Sequence, residues 1–282
     1  MEQIPLITLT TDFGMADGYV GTMKGVIHSI VPRARLVDIS HEIAPQDVRQ
    51  AAYVLYTAYP FFPSATVHLV VVDPGVGSAR RPIAVRTSGG AFVGPDNGVF
   101  SYVIARERVD AVVELRAPSY WLPQVSHTFH GRDIFAPAAA HLAAGVPITA
   151  LGPSVPDPII FLPPCLESAP DSVTGEVLHA DHFGNVITSI GLLAWRGDEL
   201  SFRPAFGPGG GEGDVCFQAA GAGVVAGDLE ISGVCRTYAQ VEPGETLALV
   251  GSEGHLEIAV REGSAAQKTG LRPGDVVMLR LP

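Results

Sequence analysis

The run DPGVGSARR, residues 73–81, sets a carboxylate, two glycines and two arginines directly after the apolar TVHLVVV of residues 66–72. That apolar run is short and rich in β-branched residues, the pattern of a buried strand. Asp73 therefore falls at a strand's end, where a tight loop can bring Arg80 back to it. A carboxylate so placed can orient a donor or accept its proton, and a guanidinium can stabilise developing negative charge. A phosphate loop is the competing reading of Gly75-Val76-Gly77, and it fits poorly. A dinucleotide fingerprint needs a third glycine opening a helix, and a P-loop needs Gly-Lys-Ser/Thr. Here Arg81 leads into PIAVRT, another strand, so no helix N-terminus stands ready for phosphate.

Three further polar clusters stand where apolar runs end. They are TTDFGMADGY with Asp12 and Asp17, HTFHGRD with His127, His130 and Asp133, and ADHFGN with Asp181, Phe183 and Asn185. Each has a structural reading too. Asp12 and Asp17 suit turn positions capping the helix that follows, and Asp133 suits the cap of an alanine-rich helix. His127 and His130, spaced H-x-x-H, are candidate metal ligands with Asp73. A metal site needs three ligands and partners that orient them, and Arg80 beside Asp73 opposes a cation. No metal is expected.

The elements that must hold these groups come in two kinds. Residues 1–151 alternate strand and helix. Strands are expected at 5–11, 34–40, 66–72, 82–87, 90–94 and 111–115, and helices at 19–30, 47–59, near 98–105 and at 133–145. In the first helix Val20, Met23, Val26, Ile27 and Ile30 share one face. That alternation predicts an α/β layered domain around a mostly parallel sheet, with ligands outside the carboxyl ends of its strands. Residues 152–171, with six prolines and no periodicity, read as a linker. From 172 to 282 short strands at 174–180, 185–190, 199–203, 232–238, 246–251, 256–260 and 275–281 alternate with Gly/Pro turns, predicting a smaller all-β, barrel-like domain. FGPGGGEGD, residues 206–214, reads as a flexible loop. The C-terminal GSAAQKTGLRPGDVVML resembles part of a PDZ domain, but no carboxylate-binding loop precedes it. A pocket fed by the first three clusters, with the fourth contributed by the β domain, is the natural expectation.

Composition narrows the function classes. With 18 basic and 29 acidic residues the net charge is −11, so nucleic acid is not an expected partner. The apolar fraction is 47% and the mean hydropathy +0.28, yet no uncharged run approaches the ~20 residues of a membrane span. The apolar surplus suggests subunit interfaces and hence a homo-oligomer. Cys165, Cys216 and Cys235 are too few and too scattered for a disulfide framework or zinc motif. The N-terminus enters a strand without a basic, apolar leader, and a cytoplasmic protein is expected.

Taken together, LTTDFGMADGYVGTMKGVI, DPGVGSARR, GPDNGV, TFHGRDIFAPAAAHLAAG, DHFGNVITSI and GSEGHLEIAV resemble, in order and along nearly the whole chain, the S-adenosyl-L-methionine hydroxide adenosyltransferases, the adenosine-forming hydrolases related to fluorinase and chlorinase. The resemblance implies an N-terminal α/β domain, a C-terminal β-barrel, and a homotrimer with active sites between subunits. It implies that Asp73, Arg80 and His130 are the hydrolytic triad and that Asp12 accepts the ribose hydroxyls. Phe183 and Asn185 match the adenine-binding segment, with Tyr238 near the base and Phe129 at the reaction centre. Asp17 and Asp181 are candidates for the methionine ammonium. Fluorinating relatives carry an arginine for the methionine carboxylate where Glu253 stands here, leaving Ser252 as the candidate. No cofactor is implied, since S-adenosyl-L-methionine is the substrate. Two other functions are weighed. Halogenating relatives have an uncharged residue in place of Asp73 and an extra loop where this chain has only SGG, and a carboxylate repels halide. A non-catalytic S-adenosyl-L-methionine or adenosine binder would keep Asp12, Phe183 and Asn185 while losing triad members.

Overall fold

The computed structural model describes residues 4–206 and 214–282. The chain divides into two compact units, residues 1–161 and 162–282. Most of the glycine-rich loop, residues 207–213, lies outside the described residues.

In the first unit the strands β1 (Leu6–Thr11), β2 (Arg35–Ser40), β3 (Val67–Val71), β4 (Pro82–Thr87), β5 (Gly90–Pro95) and β6 (Val109–Glu114) form one sheet in the order β2-β1-β3-β5-β4-β6. β1 pairs in parallel with β2 and β3, and β3 with β5. β4 runs antiparallel to both β5 and β6, so it is the one reversed strand of a mostly parallel sheet. Leu69 and Val71 of β3 join a core cluster with Met23, Ile27 and Ala139. Val70 and Val72 join another with Ala51, Leu55 and Val103. Successive side chains of a strand point to opposite faces, so both faces of this sheet are covered by helices. α1 (Tyr19–Ile30) and α4 (Ala136–Ala143) supply the first face, α2 (Val48–Ala58) and α3 (Ser101–Arg106) the second. In α1 the buried residues are Val20, Met23 and Ile27, the face its periodicity marked. From β1 the chain proceeds to β2 on one side and then crosses to β3 on the other. The crevice between the ends of β1 and β3 is thus a topological switch point, the usual ligand site of such sheets. Asp12 follows the one strand and Asp73 follows the other.

In the second unit β7 (Leu166–Ala169), β8 (Ser172–Ala180), β9 (Val186–Thr188), β13 (Gly223–Ala226), β14 (Leu229–Ser232), β15 (Thr246–Val250), β16 (Leu256–Val260) and β17 (Val276–Arg280) form an eight-stranded sheet. Its order is β14-β13-β17-β8-β9-β16-β15, with β7 against β8. Just past β14, Cys235 bridges to Leu249 of β15, and its N–H donates to Ala248 O at 2.7 Å. The sheet therefore nearly closes on itself. A three-stranded sheet of β10 (Leu193–Arg196), β11 (Glu199–Phe202) and β12 (Val215–Gln218) and the short helix α5 (Ala265–Thr269) complete the unit.

The proline-rich residues 152–171 are shared between the units. Ser154 bridges to Val113, and Phe161 N–H donates to Ser101 Oγ at 2.8 Å in the first unit. Leu166–Ala169 pairs with β8 in the second. The expected strand at 232–238 does not form: Ser232 ends β14, and beyond it Cys235 makes only an isolated bridge. After β14, Gly233 takes a left-handed φ of 76°, and Tyr238 begins a 3₁₀ turn capped by Thr237 and Gln240. No helix among the described residues is long and apolar enough to cross a membrane.

Candidate active site

At the switch point of the first unit lies a cleft of about 400 Å³, lined among others by Asp12, Tyr19, Gln46, Asp73, Phe129 and His130. Three of the four polar clusters meet here. Arg80 grips Asp73 with both arms of its fork, Nε donating to Oδ1 at 3.0 Å and Nη2 to Oδ2. The same Nη2 lies 3.1 Å from His130 Nδ1. A guanidinium only donates, so Nδ1 is the acceptor and His130 is neutral with its proton on Nε2. The Asp73 and Arg80 side chains are only 6% and 7% exposed, and Arg80 also lies 5.2 Å over the ring of Phe135.

The loop between them is shaped by its own polar atoms. Ser78 Oγ donates to Gly75 O at 2.7 Å and accepts from Arg80 N–H at 3.2 Å. Gly77 has φ 77°, and a Cβ there would stand 2.6 Å from His127 O, so glycine is required on both counts. The glycines of this loop serve a tight approach to the 127–131 segment, and no helix follows them. His130 itself precedes a π-helical turn, Gly131–Phe135, that leads into α4, a local irregularity frequent at functional sites. Asp133 does not cap that helix as expected. It is fully buried and accepts from Ser126 N–H and Oγ at 2.8 and 2.7 Å, tying down the loop that carries His127 and His130. Asp12 is no helix cap either: the N-cap of α1 is Gly18, without a side-chain bond. Asp12 Oδ2 instead accepts from Gln46 N–H at 2.8 Å.

Burial pushes the Asp73 carboxyl above its ordinary 3.8, with Arg80 opposing. Burial, then the charge of Arg80, pushes His130 below its ordinary 6.5. Asp73 must be ionised to act as a base, and His130 neutral to accept from Arg80. Both conditions fail only as pH falls. The pair titrates as a coupled system, so kcat/KM is expected to show an acid limb displaced upward from the ordinary aspartate value and to rise with pH as Asp73 ionises and His130 becomes neutral. A pH–rate profile checks this, and activity that falls as pH rises through that limb contradicts it.

The second unit has its own cleft of about 520 Å³, lined by Phe183, Asn185, Tyr238, Val260, Glu262 and Gly263. Phe183 is 76% and Tyr238 42% exposed, two aromatic faces open to a planar ligand. Asp181 builds the turn that presents them: Oδ1 accepts from Phe183 and Asn185 N–H at 2.9 and 2.8 Å, and Oδ2 from Asn185 Nδ2 at 3.0 Å. Asn185 Nδ2 also reaches Tyr238 Oη at 3.3 Å. Burial, Asp181 and Glu253 push nearby Glu257 up to about 7. A carboxyl raised in the folded state destabilises it as pH climbs from the unfolded value through the folded one. Glu257→Gln is therefore expected to melt with wild type at pH 4 and a few degrees above it at pH 8, as calorimetry will read.

Asp17 and Ser252 are exposed on turns and line neither cleft. Phe13 and Tyr19 were not singled out from sequence, yet they pack against Phe129 with centroids at 5.8 and 5.2 Å. Nor were Val260, Glu262 and Gly263. Among the described residues the non-glycine residues with left-handed backbone are Gln46, φ 67°, and Glu262, φ 56°, and each lines one of the two clefts. Such strain concentrates at ligand clamps, and its positions carry no mark in the sequence. Among the described residues no three His, Cys, Asp or Glu side chains group as metal ligands.

A two-unit chain with this switch-point constellation defines a class. The profile of the SAM hydroxide adenosyltransferase N-terminal domain matches residues 7–152, and that of the C-terminal domain residues 175–278. The chain belongs to the SAM hydroxide adenosyltransferase family. It is 40% identical to the (R)-S-adenosyl-L-methionine hydrolase of Salinispora arenicola over 98% of this chain and 97% of the relative. It is 28% identical to the fluorinase of Nocardia brasiliensis, covering 98% and 97%. The solved structure of an uncharacterized conserved protein from Thermotoga maritima matches with a TM-score of 0.83 at 36% identity, covering 97% of this chain and 99% of that one.

Proposed function

We propose that this protein hydrolyses S-adenosyl-L-methionine to adenosine and L-methionine by in-line attack of water at C5′. The observation that carries the reading is the buried Asp73–Arg80 pair with His130 on Arg80 beside the cleft. The C5′–S bond breaks with its electron pair going to sulfur, so methionine leaves as a neutral thioether and needs no general acid. The demanding partner is water, whose free pKa is about 15.7. Asp73 accepts from both arms of Arg80 and from the Gly75 backbone, and a carboxylate's remaining lone pair is available to water. Asp73 is the proton acceptor, and its raised pKa suits it to that task. His130 holds the water by donating from Nε2, because Nδ1 is engaged by Arg80. Arg80 keeps Asp73 ionised in its buried position and steadies the charge that builds as the proton moves.

Asp12 accepts the ribose hydroxyls, with one oxygen fixed by Gln46. Phe129, backed by Phe13 and Tyr19, offers aromatic faces to the sulfonium. Phe183 and Tyr238 stack on adenine, and Asn185 bonds its edge. Asp17 serves the methionine ammonium and Ser252 its carboxylate. Asp181 acts there through the turn it builds. In a homotrimer the cleft of one copy's N-terminal unit closes against the C-terminal unit of its neighbour, in the cytoplasm and without metal or cofactor. The carboxylate of Asp73 favours water over halide as nucleophile. Incubation of purified protein with S-adenosyl-L-methionine in chloride-containing buffer, with chelator present, is expected to release adenosine and methionine in equal amounts. Formation of 5′-chloro-5′-deoxyadenosine, or binding without turnover, would overturn the reading.

A further inference from the structure

The motif GPDNGV, residues 94–99, lies outside the triad, and the sheet order gives it a place. β5 lies between β3 and β4, so the loop joining β3 to β4 must arch over the end of β5, where Asp96 and Asn97 stand. At the loop's entry, Asn97 Nδ2 donates to Val72 O at 2.9 Å, the carbonyl immediately before Asp73. At its exit, Asp96 holds Arg81, next to Arg80, twice: its N–H donates to Arg81 O at 2.9 Å and its Oδ2 accepts from Arg81 Nε at 2.7 Å. The clamp is itself anchored. Asp96 is 1% exposed, its Oδ1 accepts from Ile159 N–H at 2.7 Å, and Asn97 Oδ1 accepts from Val99 N–H at 3.2 Å. Gly98 lets the turn pass beneath Phe161, whose ring would stand 2.4 Å from a Cβ there.

We propose that Asp96 and Asn97 are positioning residues for the reaction: they grip the two shores of the 73–80 loop and so set the Asp73 carboxylate against Arg80 and the attacking water. The proposal rests on the hydrolytic reading above. Its physical basis is that Asp73 and Arg80 bond to each other within the loop, with Arg80 also meeting His130 and the Phe135 ring, so the place of the Asp73 carboxylate relative to the sheet depends on how the two shores are held. A displacement of about 1 Å at a reacting group costs on the order of 10²-fold in rate.

The test uses two variants. Asn97→Asp keeps the size and the acceptor for Val99 but turns an oxygen toward Val72 O. Asn97→Ala removes the donor without adding charge. Both are expected to lower kcat by about 10–100-fold with KM changed less than about threefold. In an Asp73→Asn background the same substitutions are expected to cost little, because residues acting as one unit are non-additive. Wild-type kcat below the melting temperature, or the same fold-loss in both backgrounds, would overturn the proposal and leave the motif a stabilising turn. If wild type itself releases no adenosine, the hydrolytic reading fails while the clamp remains testable. The ¹³C-carboxyl titration of Asp73 then decides. Since Arg80 lowers that pKa, a loosened pair in Asn97→Ala moves the midpoint up, and an unchanged midpoint refutes the clamp.

Discussion

Asp73→Asn is expected to lower turnover by roughly 10²–10⁴-fold, the span of a general-base contribution. The amide is the same size, and its oxygen can still accept from Arg80 Nε. Its nitrogen faces Nη2, so two donors meet where the carboxylate accepted twice. The base is lost and the buried guanidinium loses its counter-charge, but the contacts assigned to ribose and adenine at Asp12, Phe183 and Asn185 are untouched. KM is therefore expected to change far less than kcat. Steady-state kinetics on correctly folded protein checks this. Near-normal turnover would remove Asp73 from the chemistry, and weakened binding at unchanged turnover would make it a substrate contact.

Arg80→Met is expected to damage both stability and rate. It leaves the Asp73 carboxylate, 6% exposed, without a partner, and breaking a buried pair from one side costs about 3–5 kcal/mol. For a domain of this size that is a melting temperature lower by roughly 10 °C. The sign of its pH dependence follows from the charge. Arg80 holds the Asp73 pKa down against burial, so without it the folded carboxyl titrates higher still. A group raised in the folded state loses stability as pH rises toward that value. The melting deficit is thus expected to be larger at pH 8 than at pH 4, and the acid limb of kcat/KM to move upward. The double variant Asp73→Asn/Arg80→Met, which removes both charges, is expected to recover much of the lost stability while staying inactive. A double variant as unstable as Arg80→Met alone would show that the loss comes from packing.

The parts of this fold that were legible in the sequence are those where local pattern and packing agree. The α1 face of Val20, Met23 and Ile27 and the continuous apolar run of β3 are buried as their periods demand. The convergence of Asp12, Asp73 and His130 was legible because polar clusters after strands share one edge of a parallel sheet. Asp133 was misread because capping is the commoner use of such a residue, whereas here Ser126 and Arg132 claim its oxygens. Gln46 reached the cleft unannounced, its role being that of a backbone N–H on Asp12, which any residue type supplies. Glu262 likewise contributes a backbone conformation. The strands of 215–232 escaped notice because four-residue strands are too short for a period to show. The sheet order that places Asp96 and Asn97 under the Asp73–Arg80 loop is long-range pairing, which no local pattern encodes.

The most direct measurement is a single turnover, with enzyme in excess over S-adenosyl-L-methionine, in oxygen-18-labelled water, followed by mass spectrometry of the adenosine and of the peptide containing Asp73. Direct attack by water held on Asp73 predicts a labelled 5′-hydroxyl in the first adenosine formed and an unlabelled Asp73. Unlabelled adenosine together with a labelled Asp73 would contradict it, because that pattern requires the carboxylate itself to attack C5′ and water to release the ester afterwards.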